Sequence, residues 1–92
     1  MNKQSTEWME EHGIWSRIVL GGPGRPDLFL SVTPDPADTE EPWTWAVVEA
    51  DPDDEDVEYK IGLAGATTLE AGKAAAERRA DEYRHGATIN GY

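Results

Sequence analysis

Trp43-Thr44-Trp45-Ala46-Val47-Val48-Glu49-Ala50 is the stretch on which the fold turns. Its aromatic and β-branched residues favour a pleated, half-buried strand. Trp43, Trp45 and Val47 then share one face, and Thr44, Ala46 and Val48 the other. Acidic segments flank it, with Asp35, Asp38, Glu40 and Glu41 before and Asp51, Asp53, Asp54, Glu55, Asp56 and Glu58 after. With Glu49, the window from Asp35 to Glu58 holds 11 carboxylates and no Lys or Arg, which equals the net charge of −11 for the whole chain. The remaining residues balance at 8 acidic against 8 basic, so the charge belongs to this window.

Outward from that strand, Ile14-Trp15-Ser16-Arg17-Ile18-Val19-Leu20 reads as a first strand. Ile14, Ser16, Ile18 and Leu20 fall on one of its faces, and Trp15, Arg17 and Val19 on the other. Gly21-Gly22-Pro23-Gly24-Arg25-Pro26 is a turn. Asp27 to Val32 is a second strand with Leu28, Leu30 and Val32 alternating, and the two form a hairpin. Downstream, Asp51 to Asp56 reads as a loop, because Pro52 removes a ladder donor and like charges repel along an extended run. Val57 to Leu63 is a half-buried strand, with Val57, Tyr59, Ile61 and Leu63 inward and Glu58 and Lys60 outward.

A helix follows Gly65. Thr67 and Glu70 have capping-box spacing, and Gly86 is the expected left-handed stop, with Arg84 and His85 in the last turn. Leu69, Gly72, Ala76, Ala80 and Tyr83 form a stripe of mostly small side chains, which lets the helix lie close to a sheet. Before Gly13, the segment Glu7 to His12 fits either a helical turn or the lead-in to a strand. The expected architecture is one α+β domain over residues 1–92. It has a polar lead-in (1–13), a four-stranded antiparallel meander (14–63), one helix packed on one face (67–85) and a short tail (86–92).

Composition excludes several classes of function. There is no cysteine, so disulfides and thiolate metal sites are ruled out. No apolar run approaches the roughly 20 residues of a membrane helix. Residues 1–7 lack the apolar core of a signal peptide, so the expectation is a cytoplasmic protein. A charge of −11 repels phosphate backbones, which disfavours direct nucleic-acid binding.

Motifs for chemistry are sparse. Counted from Asp51, the sixth and twelfth positions of a calcium loop are Asp56 and Gly62, where an EF-hand needs Gly and Glu. The two histidines, His12 and His85, lie near opposite ends of the chain, and Ser16 and Ser31 have no nucleophile-elbow context. The glycines at 21–24 lack the Lys-Ser/Thr of a phosphate loop. Neither a catalytic centre nor a cofactor or metal site is expected. Trp43 and Trp45 have two readings: a stacking platform on an open sheet, or core beneath the helix.

Trp43-x-Trp45, a polar loop, a strand and then Thr67-Thr68-Leu69-Glu70-Ala71-Gly72-Lys73-Ala74-Ala75-Ala76-Glu77 together resemble many small acidic proteins of actinobacteria and their phages. In that pattern an Ala commonly precedes the Lys, where this chain has Gly72. The resemblance implies a strand–strand–helix fold and a phage or prophage accessory role, acting in the host cytoplasm. It carries no functional residue over.

The functional expectation is a non-enzymatic protein that binds and modulates a host or phage protein through a basic surface on that partner. The binding residues would be Asp35, Asp38, Glu40, Glu41, Glu49, Asp51, Asp53, Asp54, Glu55, Asp56 and Glu58. In a meander the two acidic loops lie at opposite ends of the strand between them, about 27 Å apart for eight residues. The alternative is a DNA mimic that occupies the groove of a restriction, CRISPR or transcription protein. A homodimer through the open sheet face is a further outcome the architecture permits.

Overall fold

Each strand pairs with the one before it in sequence, so the sheet is a meander with no crossover. The computed structural model describes residues 6–21, 26–51 and 54–84. Five antiparallel strands, β1 (Met9–Glu11), β2 (Ile14–Val19), β3 (Leu28–Pro34), β4 (Trp43–Asp51) and β5 (Asp54–Ala66), precede one helix, α1 (Leu69–Arg84). The α+β class is as expected, with one strand more than the four anticipated. The lead-in supplies it. His12 and Gly13 both have positive φ (57° and 84°), which makes a two-residue primed turn whose twist matches that of the flanking strands. Histidine is among the few non-glycine residues enriched in that region. Glu10 Oε2 accepts the Gly13 N–H at 2.8 Å, and Met9, Glu10 and Glu11 pair with Ser16, Trp15 and Ile14.

β5 also departs from expectation. The acidic segment after β4 is mostly strand, because Asp51 pairs with Asp54 and β5 continues unbroken to Ala66. Hairpin closure outweighs repulsion between charges that water and salt screen. The register shifts here: Ala50 pairs with Glu58, which leaves residues 55–57 as an irregular step. Pro52 and Asp53, and most of the glycine-rich turn at 21–26, lie outside the described residues.

A second shift falls between Val47, opposite Gly62, and Val48, opposite Lys60. Ile61 is the extra residue, and a bulge of this kind reverses the alternation beyond it. Leu63 is therefore not inward with Ile61; it lies on the opposite face, 53% exposed, and Tyr59, also expected inward, is 49% exposed. Two features fix the bulge. A Cβ at Gly62 would meet Arg79 Cγ at 2.8 Å and the Trp45 ring at 3.0 Å, so only glycine fits there. Arg79 Nε donates to the Ile61 carbonyl at 3.0 Å, giving the displaced backbone group a partner.

The helix starts one residue later than its sequence signature suggested. Thr68, not Thr67, is the cap, and its Oγ1 accepts the Ala71 N–H at 3.0 Å. Gly72, Ala76 and Ala80 are buried against the sheet, as the small-residue stripe implied. At Gly72 a Cβ would come within 2.9 Å of Val32 Cγ1, so the helix rides directly on β3. Leu28, Leu30, Val32 and Val47 are fully buried beneath it. The expected stop at Gly86, His85 and the tail lie outside the described residues.

Candidate functional site

The pairing registers sort the side chains into two faces. Under the helix, one cross-strand row runs Trp15, Val32, Trp45, Ala64, and the next runs Arg17, Leu30, Val47, Gly62. Trp43 and Trp45 belong to this covered face, with Trp45 packed against the core. For Trp45 that is the core reading rather than the stacking platform.

Polar contacts tie the helix to this face. Glu77 Oε2 accepts from Trp8 Nε1 at 2.6 Å and from Arg17 at 2.8 Å. Lys73 Nζ sits 3.8 Å from the centre of the Trp15 ring and 5.8 Å from that of Trp8. The Trp15 and Trp8 rings thus face the chain's own ammonium. Arg84 donates to the carbonyls of Val19 and Pro26, closing the far end of the helix onto the β2–β3 connection. A cleft of about 360 Å3 beside β2 brings together Arg17 and Arg84 with Glu77 and Asp81, so its charges compensate one another. Tyr83 OH donates to both oxygens of Glu49, at 3.0 and 3.1 Å. Burial, then the Glu49 hydrogen bond and charge, hold the Tyr83 phenol above its ordinary pKa of 10.0.

The expected binding residues divide among four places. Asp35, Asp38, Glu40 and Glu41 form the β3–β4 connection. There Asp38 Oδ1 accepts the N–H groups of Glu40 and Glu41 at 3.0 and 2.9 Å, so this carboxylate builds its own loop. Glu41 lies across Gly65 of β5. Asp51, Asp54, Glu55 and Asp56 belong to the β4–β5 hairpin at the other end, while Asp53 is outside the described residues. The nine residues of β4 separate these ends by roughly 30 Å. Glu49 and Glu58, the expected binding residues between these ends, face opposite ways. Glu49 is turned to the helix and held by Tyr83, while Glu58, opposite Ala50, is on the open face.

The open sheet face was foreseen as a face, but none of the expected binding residues was chosen for lying on it. Its central row is Ile18, Phe29, Val48, Lys60, and the next is Met9, Ser16, Ser31, Ala46. Met9, Ile14 and Leu63 are 47%, 43% and 53% exposed. A hollow of about 210 Å3 lies here, lined by Ser16, Ile18, Phe29, Ser31, Val48 and Glu58. The signal was present in β2 to β4, which carry apolar residues on both faces although only one helix is available to cover them. An antiparallel sheet with one covered face ordinarily alternates cleanly to polar on the other.

Ser16 and Ser31 are cross-strand partners on this face, and His12 is in the β1–β2 turn. Among the described residues no three His, Asp or Glu side chains gather to hold a metal ion, and no helix is long and apolar enough to cross a membrane. Comparison with protein-family models, curated proteins and solved structures gives no match.

Proposed function

We propose that this chain is a non-enzymatic binding protein that docks a basic protein onto the open face of its sheet, with the acidic ends of β4 steering the approach. One observation carries the reading. The face opposite the helix presents Met9, Ile14 and Leu63 to solvent around the half-buried Ile18, Phe29 and Val48, inside a strongly acidic frame. Contiguous apolar surface rimmed by charge is a common mark of a protein interface. The net charge of −11 favours a cationic partner and speeds its encounter. In the setting that the sequence resemblance implies, the partner is a host or phage protein whose activity the docked chain modulates.

The test is capture from an actinobacterial lysate at low and moderate salt, with the wild type and with Leu63→Ser. A partner held by the wild type, released by salt and lost on the substitution supports the reading. Failure to recover any partner at either ionic strength sinks it. The DNA mimic is the second reading, favoured by the roughly 30 Å separation of the acidic ends along β4. Glu49 and Glu58 face opposite sides, so they do not join those ends into one row. Competition between duplex DNA and this chain for the captured partner separates the two.

A further inference from the structure

We infer that the hollow on the open face is an arginine socket: the docked partner inserts an arginine flanked by apolar side chains, its stem on Ile18, Phe29 and Val48 and its guanidinium on Glu58. This rests on the docking proposed above and names the chemistry of what docks.

Size is the first argument. About 210 Å3 falls below the roughly 300–1,000 Å3 typical of small-molecule sites, and suits one long side chain projecting from a macromolecule. Charge is the second. Among the residues lining the hollow, Glu58 alone brings a free side-chain charge, because the Arg17 guanidinium is committed to Glu77 on the helix side. Lys60, two residues along β5, is not part of the lining, and Glu58 forms no ion pair with any described residue. A purely apolar plug would strip water from that carboxylate and give nothing in return, which is unfavourable. A cationic head with an apolar stem satisfies both parts of the lining at once.

Arginine fits better than lysine. Its planar guanidinium can lie on the Phe29 ring and still present two N–H groups to one carboxylate, which a compact ammonium cannot do. A second copy of this chain is the wrong occupant on charge. Face-to-face pairing would bring together two molecules of net charge −11, with Glu11 and Glu58 on each apposed surface.

The test is a two-dimensional amide NMR titration of the full chain with three capped peptides: Ac-Leu-Arg-Leu-NH2, its citrulline counterpart, and Ac-Gly-Arg-Gly-NH2. The arginine peptide should shift the amides of Ile18, Phe29, Ser31, Val48 and Glu58 saturably, with Kd on the order of 1 mM. Citrulline, which keeps the shape and removes the charge, should bind several-fold more weakly. Glu58→Gln should weaken the arginine peptide roughly threefold to tenfold while leaving the rest of the spectrum in place.

Equal binding of the citrulline peptide overturns the inference. So does an equal response to Ac-Gly-Arg-Gly-NH2 centred on residues 35–42, which would be plain charge attraction. No saturable shift at the hollow, or a sedimenting dimer that protects the same amides, overturns it as well. If the peptides fail while capture of a partner is still lost on Leu63→Ser, the socket falls and the docking face stands.

Discussion

Leu30 and Val47 are neighbours in one row of the sheet and neither reaches solvent, whereas Phe29 and Val48, one residue away on the same strands, are only half covered. The strands are equally good on both sides, so propensity does not separate them; the helix does. On its side the helix contributes charged groups as well as apolar ones: Lys73 lies over Trp15, Glu77 holds Trp8 and Arg17, and Arg79 serves the bulge carbonyl. On the other side Glu58 and Lys60 make no ion pair with any described residue. One face is a finished interior, and the other has the composition of half of one. Substitutions on the two opposite faces therefore measure different things.

The contrast should be largest at Leu30. Leu30→Ala removes fully buried atoms and leaves a cavity under the helix, at an expected cost of about 2–5 kcal/mol. Urea unfolding followed by tryptophan fluorescence gives the value. A loss below about 1 kcal/mol would mean that the helix does not seal this face. Next is Gly72→Val, which places carbon where Val32 Cγ1 is already 2.9 Å from an ideal Cβ. Overpacking should cost about 1–3 kcal/mol by the same assay, and a neutral result would show the helix free to lift off β3.

Much of the covered face was legible in the sequence, because its determinants are local. The alternation of Leu28, Leu30 and Val32, that of Trp43, Trp45 and Val47, and the stripe Gly72, Ala76, Ala80 each declare a face without reference to anything distant. What escaped depends on partners far along the chain. Leu63 turns outward because Gly62 is pinned beneath Trp45 and Arg79, each 17 positions away along the chain, and no period-2 count contains that fact. β1 was hidden by a His-Gly turn that stands in for the commoner Asn-Gly. The carboxylates were plain as charges but not as positions. Asp38 is spent on its own loop and Glu49 on Tyr83, which leaves Glu58 as the one at the hollow. The hollow itself arises only when Ile18, Phe29 and Val48 become cross-strand neighbours.

Tyr83 sharpens the comparison through pH. Its hydrogen bond to Glu49 closes the covered face near the end of the helix, and Tyr83→Phe should cost about 1 kcal/mol at neutral pH. The phenol is held above its ordinary value by burial first and Glu49 second, so the folded chain retains that proton where the unfolded chain has lost it. The contribution is fully present below the unfolded value of about 10 and is lost as pH rises through the folded one. Urea midpoints of wild type and Tyr83→Phe should therefore stay apart below about pH 10 and converge as pH rises above it. A gap that stays constant would show that the proton is not held by the fold.

Leu63→Ser is the smallest expected change in stability and the sharpest test of the contrast. The side chain is 53% exposed beyond the bulge, so the folded state gives up little burial when it is shortened. Unfolding free energy should move by less than about 0.5 kcal/mol in either direction. The serine hydroxyl stays in water and adds no desolvation cost. If the substitution instead destabilises by 2 kcal/mol or so, Leu63 has a covering partner within the folded chain and the open face is not open. If stability holds and partner capture is lost, the apolar surface is kept for an intermolecular contact. The same carbon atoms that would have been core under a second helix then become the binding energy of a complex.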